Sequence, residues 1–428
     1  VTANISRDAA DWGGYKNRMA KPSDKATAIW VIRRLRNAGF DALLAGGCVR
    51  DMLLNLRCND YDVATNATPK QVGKLFRRVL MVGAKFGVAM VIERGRTVEV
   101  ATFRKDVSYS DGRRPDAVRY SSARQDALRR DFTINGMFFD PLAGEKGEVI
   151  DYVSGKRDLS RRVIRTIGDP EKRFSEDFLR MIRAVRFAVR LGFKIAPATS
   201  KAICRNADKI VVISGERVYE ELTKMLSGCD AASAMQKLHT VRLAKGIFPD
   251  LCDTPSMWSR SMARLEHLAK RKDVPLSLGA MLCELAPAQI RRIVRNWGGS
   301  NELLDKLCFL SVHRQDWPEA ENLSLANFKR LMGSRHFVEM LAVWRVEEKL
   351  STGRSVHTAR AMRRARGIAK DQVAPQPLIT GDKLLAMGLR EGPSLGRVLR
   401  TIYDAQLNEE LTTRREALAL ARKMIARP

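Results

Sequence analysis

Apolar residues recur at helical spacing over residues 26–38, where Ala28, Ile29, Ile32 and Leu35 share one side of a helix. The period then shortens. Residues 41–45 form a brief apolar run ending in Gly46-Gly47, and residues 49–56 resume the helical pattern, which predicts helix, strand, glycine turn and helix. A carboxylate-bearing strand over 60–64, a helix over 69–79 and β-rich stretches over 82–93 and 97–104 complete a small mixed α/β domain. Residues 108–126 (SYSDGRRPDAVRYSSARQD) hold turn formers and charges with neither period, which predicts a mobile loop. From Pro170 onward nearly every segment is helical in period, including 174–191, 200–206, 218–226 and amphipathic runs up to Arg366. Pro375 and Pro377 mark a linker over 372–380 ahead of a compact terminal unit over 381–422. No internal repeat or low-complexity tract is visible.

Composition changes this picture chiefly through charge. The chain has 428 residues, 45% of them hydrophobic, which excludes a disordered or fibrous protein. At about 100–200 residues per domain, that length predicts two to four domains. Lysine and arginine number 76 against 48 acidic residues, a net charge of +28 that favours a polyanionic partner over small neutral substrates. The cations are spread along the helices rather than clustered, so a membrane surface is the weaker partner. No apolar run reaches the ~20 residues needed to cross a bilayer. The seven cysteines include no C-x-x-C pair and read as reduced, which predicts a cytoplasmic protein. Residues 1–22 are polar without a signal core and are expected to form a loosely ordered extension. None of the five histidines is followed by Asp, so nothing supports a metal phosphohydrolase module of the His-Asp type.

The candidate chemistry starts at Gly46-Gly47-Cys48-Val49-Arg50-Asp51, followed by Asn59-Asp60-Tyr61-Asp62. Residues two apart on a strand face one side, so Asp60 and Asp62 would place two carboxylates about 7 Å apart along the chain. Such a pair repels itself unless a cation intervenes, and Mg²⁺ commonly takes one or two carboxylates plus substrate phosphates. Alone, the pair reads as a solvated strand end. With a double glycine about 12 residues upstream, where backbone N–H groups can approach a triphosphate and Arg50 adds charge, the phosphate-plus-metal reading overtakes it. Glu99, alternating with apolar residues on a neighbouring strand, is either a third acid or an ordinary outward residue. Arg129, Arg130, Asp131 and Asn135 cluster around a β-branched and aromatic core, which suits sugar and phosphate contact or an ordinary basic turn.

Asp177 and Arg180 stand three apart and would share a helix face, usually as no more than a salt bridge. A sharper reading exists. The carboxylate can accept from the exocyclic amino group of cytosine or adenine while the guanidinium donates to the adjacent ring nitrogen; guanine and uracil present the opposite pattern. An unpaired buried polar group costs about 1–3 kcal/mol, enough for one such pair to admit C and A and reject G and U.

These segments together resemble a family. LLAGGCVRDMLL, NDYDVATNATP, VEVATFRKDVSYSDGRRPD, RRDFTINGMFFDP and RFSEDFLRMIRAVRFAVRLGF stand in the order found in class II tRNA nucleotidyltransferases (CCA-adding enzymes) and the related bacterial poly(A) polymerases. The resemblance is dense over residues 40–195. It implies an α+β protein: an N-terminal nucleotidyltransferase head of polymerase β type, followed by an all-α neck, body and tail. The boundaries expected are 1–22 for the extension, 23–167 for the head, 168–235 for the neck, 236–370 for the body and 371–428 for the tail. It further implies that Asp60 and Asp62 bind Mg²⁺; Glu99, from its place on the neighbouring strand, is expected to be the third catalytic acid. Gly46, Gly47 and Arg50 would contact the triphosphate, Arg130 and Asp131 the ribose and phosphate, and Asp177 and Arg180 the incoming base; Asn135, Arg183 and Arg186 are expected to join them in binding the nucleotide.

The segment around Ile213-Ser214-Gly215-Glu216-Arg217-Val218 resembles the family's neck, and residues 377–417 resemble its RNA-binding tail. Residues 236–370 offer no motif. The implied reaction is attack by the 3′-hydroxyl of tRNA, held by its acceptor and T arm, on the α-phosphate of CTP or ATP, and in this reading residues 105–126 help switch from C to A. Gly136 stands where an alanine is commoner. Poly(A) synthesis and partial CC-only or A-only addition stay open, as does a noncatalytic RNA-binding protein built on a decayed head. The bacterial poly(A) polymerases tend to carry two basic residues before a phenylalanine in the stretch matching Val82-Gly83-Ala84-Lys85-Phe86; here only Lys85 is basic, which together with the tail favours CCA addition.

Overall fold

The computed structural model describes residues 23–58, 60–81, 87–106, 118–268 and 271–426. The expected N-terminal extension, Asn59, Lys85 and the segment 107–117 lie outside the described residues. The chain divides into two compact units, one reaching Arg180 and including Gly192–Ala202, the other made of Met181–Leu191 and everything from Ile203.

In the first unit, α1 (Asp24–Asn37) starts where the Ser23 hydroxyl accepts the Ala26 N–H at 3.2 Å. There follow β1 (Ala42–Ala45), α2 (Gly47–Leu53), β2 (Asp62–Thr65) and α3 (Pro69–Leu75), the last opened by a capping box between Thr68 and Gln71. This helix is shorter than its periodicity predicts. Phe76 leaves helical geometry and its ring meets Trp30 edge-on at 5.7 Å, turning the chain into β3 (Val79–Leu80). Next come β4 (Val88–Glu93), β5 (Arg96–Thr102), the hairpin strands β6 (Arg104–Asp106) and β7 (Val118–Tyr120), α4 (Ala123–Arg129), β8 (Phe138–Asp140), β9 (Glu148–Ile150), α5 (Gly155–Ser160) and β10 (Val163–Ile164).

Seven of these strands form one sheet in the order β3-β4-β5-β2-β1-β8-β9. Only the β2–β5 pair in it is parallel. All four residues of β1 are buried because both faces of the sheet centre are covered. Helix α1 packs Ala28, Val31, Ile32 and Leu35 onto one side, and Leu43, Ala45, Ala64, Phe103, Ala127 and Phe138 make an apolar cluster on the other.

After the head come α6 (Pro170–Glu176), α7 (Leu179–Leu191), β11 (Lys194–Ile195), α8 (Pro197–Arg205) and α9 (Gly215–Gly228). Two expectations change here. The helix foreseen over 174–191 is broken: Asp177 is extended (φ −160°, ψ 103°) and its Oδ1 accepts the Leu179 N–H at 3.1 Å, capping a new helix. A region read as helical also contains β11, which pairs in parallel with β10. The loop foreseen over 108–126 likewise ends in structure, since β7 and the Ser122-capped α4 occupy its second half.

From α9 onward the second unit is helical throughout, ending in Arg414–Ile425. One core gathers Leu276, Leu310, Phe328, Phe337, Met340 and Trp344. A smaller one, built from Ile379, Leu384, Val398, Ile402, Ala417 and Ala421, underlies the terminal helices. The first also sits beside buried charge: Arg264, 1% exposed, pairs with both Glu284 and Glu347, Arg314 reaches Glu347 at 3.3 Å, and Arg260 meets Glu284 at 2.8 Å. The architecture is therefore an α+β head followed by helices.

Candidate active site

The antiparallel β1–β2 pairing sets Ala45 opposite Asp62, so the glycine turn that leaves β1 lies beside the start of β2. Gly46 has φ 77° and ψ −131°, a backbone that side chains rarely adopt, and a Cβ there would stand 2.9 Å from Arg130 Nη1. Gly47 is already helical, and a Cβ on it would meet nothing closer than Arg50 Nη2 at 3.6 Å. The parallel β2–β5 pairing matches Val63 with Val100, which sets Glu99 alongside Asp62 on the same face as Ala64. Asp60 is exposed and precedes the strand instead of belonging to it, so the strand alternation expected for Asp60 and Asp62 does not apply.

The charges of these acids bear on one another. Burial pushes the Asp62 carboxyl up to about 6, with Glu99 and Asp60 adding to the rise and Arg130 opposing it. Among the described residues no group of three or more His, Cys, Asp or Glu side chains forms a ready metal cage. An open edge of carboxylates that repel one another fits a hard divalent cation that keeps waters and substrate oxygens in its shell.

Arg130 and Asp131 sit at the end of α4. The Arg130 guanidinium lies over the Phe138 ring, 5.2 Å from its centroid, and its Nη1 donates to the Asn135 carbonyl at 3.4 Å. Asp131 Oδ1 accepts from the Phe132 N–H at 2.8 Å and from Asn135 Nδ2 at 3.1 Å. Asn135 in turn accepts from Arg50 Nη1 at 2.6 Å, while Arg50 Nε donates to Asp51 at 2.7 Å. Arg50 is only 2% exposed. Its guanidinium thus braces α2 against the turn at Thr133–Asn135.

Asp177 and Arg180 do not share one helix face; they flank the break between α6 and α7. The Arg180 N–H donates to the Asp177 carbonyl at 3.1 Å, and Arg180 Nη1 is tied to the Arg173 carbonyl at 2.8 Å and to the Glu176 carboxylate. Arg183 and Arg186 belong to the second unit, where Arg186 Nε donates to Glu221 at 2.6 Å and Arg183 stands 3.7 Å from the same carboxylate. Burial alone would raise the Glu221 carboxyl, but Arg186 and Arg183 hold it below its usual range. The pairings that anchor these arginines, to Glu176 and to Glu221 in the neck-like segment, were not read from the sequence. Glu176 was findable by its spacing of four from Arg180; Glu221, on a different helix, left no local signal.

Residues 42–165 match the family described as the poly A polymerase head domain, and residues 192–254 match a probable RNA and SrmB-binding site of polymerase A. A CCA-adding enzyme of Pediococcus pentosaceus is 33% identical over 409 residues, covering 93% of this chain and 97% of the relative. The chain belongs to the CCA-adding enzyme family. The CCA-adding enzyme of Geobacillus stearothermophilus is 38% identical over 297 residues, covering 69% of this chain and 71% of that protein. The crystal structure of the Bacillus stearothermophilus CCA-adding enzyme in complex with CTP superposes with a TM-score of 0.75 at 30% identity, covering 95% of this chain and 99% of the other. Likeness to CCA-adding enzymes therefore runs well beyond the head into the helices that carry no motif.

Proposed function

We propose that this protein completes tRNA 3′ ends with CCA, using CTP and ATP and releasing pyrophosphate. The observation that carries the reading is the meeting of Asp60, Asp62 and Glu99 with Gly46 and Arg130 around the central strands β1, β2 and β5. The site residues divide the work. Gly46, without a side chain, leaves the floor open to a triphosphate, and Arg130 offers it positive charge. Asp131 and Asn135, locked to each other, orient the ribose. Asp177 accepts from the amino group of C or A and Arg180 donates to the neighbouring ring nitrogen, both held by the α6–α7 break. The terminal RNA 3′-oxygen forms the new bond to the α-phosphorus as the α–β bond breaks and pyrophosphate leaves. Asp60 and Asp62 would hold Mg²⁺, which when bound lowers the hydroxyl pKa and stabilises charge on the leaving group.

The reading divides the chain into head (23–167), neck (168–235), body (236–370) and tail (371–428), with the net charge of +28 serving tRNA. All seven cysteines are free, and no described helix is long and apolar enough to cross a membrane; both suit a cytoplasmic enzyme.

Purified protein with Mg²⁺ and tRNA ending before CCA, after C or after CC, given CTP, ATP or both, tests the proposal at single-nucleotide resolution. Two Cs, one A and then arrest support it. A long A ladder reassigns the protein as a poly(A) polymerase, CC alone or A alone means divided work, and no incorporation removes the enzymatic reading.

A further inference from the structure

Resting on that reading, the geometry points to Asp126 as the residue that positions Arg130 for the nucleotide's triphosphate. Asp126 lies in α4, is 1% exposed, and spends its whole carboxylate on protein donors. Oδ1 accepts from Arg129 Nε at 2.8 Å and from the Arg104 backbone N–H at 3.3 Å. Oδ2 accepts from Arg130 Nε at 3.1 Å and Nη2 at 3.0 Å. One edge of the Arg130 guanidinium, its Nε and Nη2 nitrogens, is thereby committed, and the remaining nitrogen, Nη1, is the one directed at the Asn135 carbonyl and the space over Gly46. Phe138 supports the face of the same group.

A flexible arginine would have to surrender rotamer freedom each time a nucleotide bound; this one has surrendered it in advance. The Arg104 contact adds a second function, because it fixes the base of the β6–β7 hairpin to the same carboxylate. Asp126 touches no substrate. Its effect passes through Arg130, so removing its charge should disturb binding of the β- and γ-phosphates and leave base and ribose recognition intact.

Affinities for CTP and CMP, measured by calorimetry in Mg²⁺ buffer without RNA, separate this role from a merely structural one. For Asp126→Asn, CTP affinity should fall about 10-fold and CMP affinity by less than about 2-fold, with kcat/KM for nucleotide addition down about 10- to 100-fold. On an Arg130→Ala background the same substitution should cost less than about 2-fold further, since the group it positions is gone. Equal losses for CTP and CMP, no change in either, or losses that add on the Arg130→Ala background would overturn the inference. Should Asp126→Asn not fold, Asp126→Glu keeps the charge and displaces it by one methylene; the CTP-to-CMP affinity ratio should still drop, and an unchanged ratio would overturn the inference equally. The extension assay on wild-type protein judges the CCA reading separately, and a protein that makes an A ladder would be tested with ATP and AMP.

Discussion

Replacing each of the two adjacent glycines by alanine should have opposite consequences. At Gly46 the backbone (φ 77°, ψ −131°) lies where a Cβ is strained, at about 1–3 kcal/mol. The added methyl would also stand 2.9 Å from Arg130 Nη1. That neighbour is the far end of a long side chain and can move, so the clash adds less to the stability cost than to the catalytic one: it expels Arg130 from its place over the turn. Gly46→Ala should therefore lower the head's melting temperature by about 2–10 °C and cut nucleotide incorporation by about 100-fold. Gly47 is the first residue of α2, has ordinary backbone angles, and would gain only a 3.6 Å contact. Alanine is the better helix former by up to about 1 kcal/mol, so Gly47→Ala should melt at or above the wild-type temperature. Differential scanning calorimetry with single-turnover incorporation on the same preparations decides the matter. If Gly46→Ala melts like wild type, or if Gly47→Ala loses as much stability, the assignment of the turn's strain to Gly46 is wrong.

Asp62→Asn should reduce incorporation by about 1,000-fold or more while thermal stability holds or rises, because a carboxyl raised to about 6 is held ionised at neutral pH against burial and two like charges; a large fall in melting temperature would show that Asp62 is needed for folding. Arg264→Met should destabilise the helical unit by about 2–4 kcal/mol, because the buried Glu284 and Glu347 lose the cation they share and keep only Arg260 and Arg314, and denaturant unfolding showing under about 1 kcal/mol would refute the importance of the pairing. Acid sensitivity has a definite sign. Burial would raise Asp126, Glu221 and Glu284, but their arginine partners lower all three, so their stabilisation is complete above the unfolded carboxyl range near 4 and is lost as pH falls through the folded values. Melting temperatures should thus drop below about pH 4, and Glu284→Gln, itself less stable, should show a shallower acid slope; a slope as steep as that of wild type would exclude this carboxylate as a contributor.

The turn from β1 into α2 was legible because a short apolar run and a double glycine are local signals. The α4 helix was missed although Ser122 and Gln125 have the spacing of a helix start, since the turn formers just before them dominated the reading. Asp177 was misplaced for a different reason: the apolar period runs unbroken across it, and only its cap on Leu179 reveals the interruption. The separation of Asp60 from β2 could not be read, because pairing with β1 and β5 decides where that strand begins. The body gave no motif. Its distinguishing feature, a buried arginine shared by two glutamates, one in a turn and one on a helix far along the chain, is a tertiary arrangement without a sequence period.

The sheet order also bears on how the protein is born. Asp62 gains Glu99 as a neighbour only through the parallel β2–β5 pairing, with β3 and β4 intervening in sequence, and Arg130 is seated by Phe138, whose strand closes on Ala45. A ribosome must therefore release the chain past β8 before the acids and their guanidinium can meet, and such long-range closures are the slow part of folding. A chain unfinished before β8 leaves the acids without their guanidinium and offers nucleotides no complete place to lodge.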